Sequence, residues 1–163
     1  MKSVNKGSLE FEKPNQYVTF YIGKGIYGIE TKKIREITSM TEIIKVPNTL
    51  PFMKGVIDLR GTVVPLVDIR IRFNMDIIDY GKDTVIIIIE IEDRLAGIIV
   101  DSVSDVIEMS LADIQNIPQF NADIDRDSVS GIGKKGDDLI VVLDVASILS
   151  VEEMKTIDDV ISA

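Results

Sequence analysis

Asp101, Asp105 and Glu108 stand four and three positions apart, the spacing that would place three carboxylates on one face of a helix. Such a set could serve acid–base chemistry or hold a metal ion, but no complementary polar group lies near it in sequence, and a solvated acidic face is the competing account. A second acidic run, "DIDRDSVSG" from Asp123, has the alternating aspartates that open a calcium loop. Ser128 stands where the sharp turn needs glycine, and Lys134 where a bidentate glutamate belongs. "GIGKKG", Gly131 to Gly136, matches the dinucleotide glycine pattern, which requires a helix to follow it. "DDLIVVLD" reads as a strand, so a glycine-rich hairpin is expected instead. With no histidine and no cysteine, the chain lacks imidazole bases, thiolate nucleophiles and the usual zinc ligands. The expectation is no catalytic residue, no metal and no cofactor. The alternative kept beside it is a small-ligand-binding or carboxylate-based enzymatic β-barrel.

Charge and composition narrow the partners. Eighteen basic against 27 acidic residues give a formal charge of −9, which opposes binding to nucleic acid or directly to an anionic membrane. The hydrophobic content of 45% with 28% charged residues describes a soluble globular chain. An apolar run as short as Val85 to Ile89, which no other exceeds, cannot span a bilayer, and "MKSVNKGSLEFEKPNQ" lacks the apolar core of a signal peptide. Together with the missing cysteines, this reads as a cytoplasmic protein without disulfides.

The elements that must position any site are mostly strands. Residues 1–15 read as a flexible lead-in. "QYVTFYIGKGIYGIE" alternates polar and apolar residues on either side of Gly23-Lys24-Gly25 and predicts a hairpin. In "TKKIREI", Ile34 and Ile37 stand three apart, which suits a turn of helix better than a strand. "TEIIKVPNTLPF" reads as a short strand ended by prolines. "GVIDLRGTVVPLVDIRIRF" follows as a hairpin hinged at Arg60-Gly61, with Pro65 placing its second strand at an edge or a bulge, and then a helical turn with Ile69 and Phe73 on one face. The run Val85 to Ile89 predicts a strand buried on both faces.

The pattern then repeats. Gly97 follows Gly28 by 69 positions, which sets Ile34 on Val103, Glu36 on Asp105 and Ile37 on Val106; Asp144 follows Asp68 by 76. The reading is mainly β: two five-stranded barrels from an internal repeat, with short helices, in one domain over 16–150. Its halves are approximately 16–80 and 83–150, and exchange of a strand between them is left open. A helical tail at 151–163, spaced on Met154, Ile157 and Ile161, follows. Ile34 and Ile37 with their mates Val103 and Val106 lie at a barrel junction that cannot bury every apolar side, which makes them candidate docking residues.

Four stretches now resemble the CheW-type chemotaxis coupling proteins: "QYVTFYIGKGIYGIETKKIREI" at 16–37, "VPNTLPFMKGVIDLRGTVVPLVDIRIRF" at 46–73, "DTVIIIIEIEDRLAGIIVDSVSDVIEM" at 83–109 and "SGIGKKGDDLIVVLDVASILS" at 130–150. Asp58 departs from the asparagine usual before "LRG" and is expected to neutralise Arg60 in part. The resemblance implies SH3-like barrels and an adaptor without catalysis, bound to the cytoplasmic tip of chemoreceptors and to the regulatory domain of the chemotaxis histidine kinase. A pseudo-symmetric ring with that kinase is a further expectation. The receptor-facing residues it implies are Ile34, Ile37, Val85, Val103 and Val106, with Gly55 and Arg60 nearby. Beside them, Glu36 is expected to form a salt bridge with Arg60.

Overall fold

A computed structural model describes residues 14–47, 49–115 and 128–162. Its strands are β1 (Asn15–Ile22), β2 (Gly25–Glu30), β3 (Ile34–Ser39), β4 (Met53–Leu59), β5 (Thr62–Asp68), β6 (Val85–Ile91), β7 (Arg94–Val100), β8 (Ser102–Met109), β9 (Ile114–Gln115), β10 (Val129–Lys135) and β11 (Asp138–Leu143). The helices are α1 (Ile69–Arg72), α2 (Val145–Ile148) and α3 (Val151–Ser162), with single 3-10 turns at Thr31–Lys33 and Leu111–Asp113. The lead-in before residue 14 and the "DIDRD" run fall outside the described residues.

The strands form a six-stranded sheet in the order β8-β1-β2-β11-β10-β9 and a five-stranded sheet in the order β3-β6-β7-β5-β4. Each sheet draws strands from both halves of the repeat: the β1–β2 hairpin joins β8 to β11, and the β6–β7 hairpin joins β3 to β5. The exchanged unit is thus a whole hairpin, docked through a parallel pairing of β2 with β11 and of β7 with β5. A hairpin is marginal by itself and needs the edge it joins.

Each sheet then curls shut. After β3 the chain returns to β4 through one bridge, Ile44 to Val56, and after β8 it returns to β10 through the two residues of β9. "TEIIKVPNTLPF" therefore supplies a single bridge instead of the expected strand. Glycine makes both closures feasible. A Cβ on Gly55, at φ +148°, would lie 2.3 Å from the Ile44 carbonyl oxygen, and one on Gly131 would lie 2.6 Å from that of Gln115.

Three cores result. Ile57, Val64, Leu66, Ile86, Ile88 and Ile99 fill the five-stranded barrel, while Tyr17, Met109, Ile140 and Val142 fill the other. The largest core lies between the sheets, where Phe20, Ile22, Tyr27 and Ile29 meet Val67, Ile87, Ile89, Ala96 and Ile98. β6 serves two of these cores with alternate side chains, so Ile86 to Ile89 are all fully buried and the continuous apolar run is explained. Pro65 sits within the sheet, yet without loss of a ladder bond. Its partner Val56 bonds Ile44 on the far side, and the pairing of β5 with β7 begins only at Leu66.

α3 closes one side of the junction. Met154 and Ile157 enter the central core, Ser150 and Glu153 cap the helix reciprocally, and Arg72 and Arg94 pair with Glu153 and Asp158.

Candidate functional site

The segment read as a helical turn around Ile34 is a strand, and so is its repeat mate around Val103. β3 pairs with β6 and β8 with β1, each antiparallel and each at an outer edge of its sheet. The spacing of three has a different cause. A bulge interrupts β3 between Ile34, opposite Ile89, and Glu36, opposite Ile88; the same bulge interrupts β8 between Val103, opposite Phe20, and Asp105, opposite Thr19. One extra residue in the strand brings positions i and i+3 onto one face. Ile34 and Ile37 thus lie beside Ile89 and Ile87, and Val103 and Val106 beside Phe20 and Val18. Ile87, Ile89 and Phe20 belong to the junction core, so the four edge residues face the junction from its rims.

At the rim they are incompletely covered. Ile37 is 40% exposed, Val103 37% and Val106 53%, whereas Ile34 and Val85 are half-buried against the core. The β8 bulge is secured by Thr19, whose buried hydroxyl donates to the Asp105 carbonyl and accepts from its amide, both at 3.1 Å. The equivalent position on β6 is Ile88, which offers no such bond.

Arg60 and Gly61 form the two-residue turn between β4 and β5, with φ of 52° and 91°, and the curl of the barrel carries the turn back over β3. There the Arg60 guanidinium grips Glu36 through both nitrogens: Nη1 donates to Oε2 at 3.4 Å, and Nη2 donates to Oε1. The hydrogen bond from Arg60 holds the Glu36 carboxyl below the usual carboxylate range, and the pair lies open to solvent. Asp58 has another task than neutralising Arg60. Its Oδ1 accepts from the Gly61 amide at 2.7 Å and caps the turn, as an asparagine oxygen could. Gly55 is buried in the barrel wall, at the closure against Ile44.

The acidic trio does not converge. β8 is a strand, so Asp105 and Glu108, an odd number of positions apart, cannot share a face there; Asp101 stands before it and pairs with Arg70. Among the described residues no three His, Cys, Asp or Glu side chains are grouped to hold a metal ion. "GIGKKG" is β10 running into its turn at Gly136.

Contacts between distant residues escaped the sequence reading. Arg70 with Asp101, Arg94 with Asp158, and the Tyr80 hydroxyl donating to Asp68 at 2.6 Å join positions that no periodicity links. Burial, then that hydrogen bond, pushes the Tyr80 phenol well above its ordinary value. The only signal was the isolated charge in an apolar stretch, as at Asp68 and Arg70.

Two barrels that leave apolar residues exposed on the edge strands at their junction have the form of a binding module. The CheW-like domain model matches residues 16–153, and the chain belongs to that family. It is 34% identical to the chemotaxis protein CheW of Klebsiella aerogenes over 89% of this chain and 87% of the relative. It is 33% identical to the CheW of Helicobacter pylori over 85% and 83%. The crystal structure of the scaffolding protein TtCheW from Thermoanaerobacter tengcongensis superposes with a TM-score of 0.80 at 33% identity, covering 86% of this chain and 95% of that one. The protein is a non-catalytic adaptor of chemotaxis signalling. No helix among the described residues is long and apolar enough to cross a membrane.

Proposed function

We propose that this adaptor joins the cytoplasmic tip of a chemoreceptor to the regulatory domain of the chemotaxis histidine kinase, working in the cytoplasm at receptor arrays. The receptor tip, a helical hairpin, lays its apolar face along the junction rims, against Ile34, Ile37, Val85, Val103 and Val106. Arg60, held by Glu36, borders that contact and orients it, while Gly55 keeps the barrel wall beneath it closed. The kinase domain, built on similar barrels, binds elsewhere on the chain, and alternation of the two in a pseudo-symmetric ring follows from their likeness. Neither nucleic acid nor lipid takes part.

The observation that carries this reading is the exposure of Ile37, Val103 and Val106 at equivalent places on two edge strands. Such apolar surface beside a core is expected to have a partner. The test is a pull-down of purified protein with a soluble receptor fragment and the kinase regulatory domain. Wild type should form the ternary complex, Val106→Asp should lose the receptor and keep the kinase domain, and Arg60→Ala should weaken the receptor about tenfold. Equal capture of receptor by folded Val106→Asp would contradict the assignment.

A further inference from the structure

The two ends of the junction differ, although the repeat would make them alike. At one end the Arg70 side chain, 12% exposed, lies across the corner between β7 and β8. Its Nε donates to Asp101 Oδ1 at 3.0 Å, its Nη2 to Oδ2 at 2.6 Å and its Nη1 to the Asp76 carbonyl at 2.8 Å. Asp101 Oδ2 also accepts from the Gly23 amide at 2.7 Å, and the Asp101 amide donates to the Tyr21 carbonyl at 3.1 Å. One ion pair therefore ties α1, the linker between repeats, the β1–β2 tip and the head of β8.

The repeat mates of Arg70, Asp101 and Gly23 are Ala146, Lys32 and Glu92, so the other end cannot make this knot. There Ala146 and Glu92 line a cavity of about 240 Å³ with Ile91 and Leu149, and α3 adds Met154, Lys155 and Asp158 to its wall. The knot is specific to the end from which Val103 and Val106 begin.

β8 needs such a fixture. Over the described residues it pairs with β1 alone, and its ladder is broken at the bulge between Val103 and Asp105. An edge strand bulged so close to its start takes its direction from whatever anchors that start. A bidentate guanidinium–carboxylate pair fixes direction as well as distance, and its partial burial limits screening by salt.

We propose that Arg70 and Asp101 are positioning residues for receptor docking, holding the head of β8 so that Val103 and Val106 present their side chains at the junction rim. This rests on the receptor reading of that rim. The experiment uses the full chain with Asp101→Asn, and with Arg70→Lys, which keeps the charge but loses the fork. Amide exchange at Ser102 to Asp105 is measured beside affinity for a soluble receptor-tip fragment and for the kinase regulatory domain. Exchange in that segment should accelerate about tenfold more than exchange in β6, receptor affinity should fall about tenfold, and kinase-domain binding should be unchanged. A double variant should lose no more than the worse single one, because both act through one contact. Wild-type receptor affinity in both single variants, or exchange at Ser102 to Asp105 that rises no more than in β6, would overturn the positioning role alone. Failure of the wild-type chain to bind the fragment would overturn the receptor reading, and this role with it.

Discussion

Val106 leaves about half of its surface to solvent although its cross-strand partner Val18 is buried, and in the proposed function its chemistry is recognition. Charged residues around it orient and pin. The hydrogen bonds to Asp101 bear directly on pH. Burial pushes its carboxyl up, and the bonds from Arg70 and the Gly23 amide outweigh that, holding it below its ordinary value. A lowered carboxyl contributes stability that is present above the unfolded value, near pH 4, and is lost as pH falls through the folded one. Asp101→Asn should therefore cost roughly 1–3 kcal/mol between pH 5 and 7, and the gap from wild type should narrow only below about pH 4. Denaturant melts of both proteins across that range check it; a gap that closes already at pH 5 to 6 would contradict the pairing. Glu36 is lowered in the same direction by Arg60, so a receptor contact that uses the pair should hold its affinity down to about pH 4.5.

At the scale of elements, most hairpins were legible because Gly23, Gly61 and Gly136 mark their turns and the flanking residues alternate. The β3 and β8 segments differ from the helical reading for a physical reason. Spacing of three is the signature of a helix in a regular chain, and a bulged strand produces the same spacing. Their repetition 69 positions apart was visible, and it identified Ile34, Ile37, Val103 and Val106 as a set even under the wrong secondary structure. One turn breaks the usual chemistry. Between β6 and β7, Glu92 and Asp93 adopt φ of 47° and 66° without a glycine. Asp93→Gly should raise stability by about 0.5–1 kcal/mol, read as an upward shift in the melting midpoint. α3 carries an opposite expectation. Ile157→Ala removes a fully buried side chain from the central core and should cost about 2–4 kcal/mol in a denaturant melt. A loss under 0.5 kcal/mol would mean that the helix does not seal the junction.

At the scale of the molecule, the repeat was readable and the pairing of its parts was not. β1–β2 and β6–β7 carry equivalent patterns, so either hairpin satisfies either sheet, and periodicity is blind to the exchange. What decides is the edge each hairpin joins: β11 receives β2, and β5 receives β7. The consequence is that neither half holds a complete barrel. Residues 1–82 expressed alone lack β6 and β7, hence Ile86, Ile88 and Ile99 of the five-stranded barrel's core. That fragment should give no cooperative melt, and mixing it with residues 83–163 should restore one; a cooperative melt of 1–82 alone would contradict the exchanged topology.

The measurement closest to the central claim is the amide-exchange footprint of a soluble receptor-tip fragment on the intact protein. Slowed exchange should appear in β3 and β8, at residues 34–39 and 102–106, and not in the β4–β5 or β10–β11 strands near Val63 and Leu139. Slowing confined to those other strands, with β3 and β8 unchanged, would contradict the claim that the bulged edge strands are the docking surface.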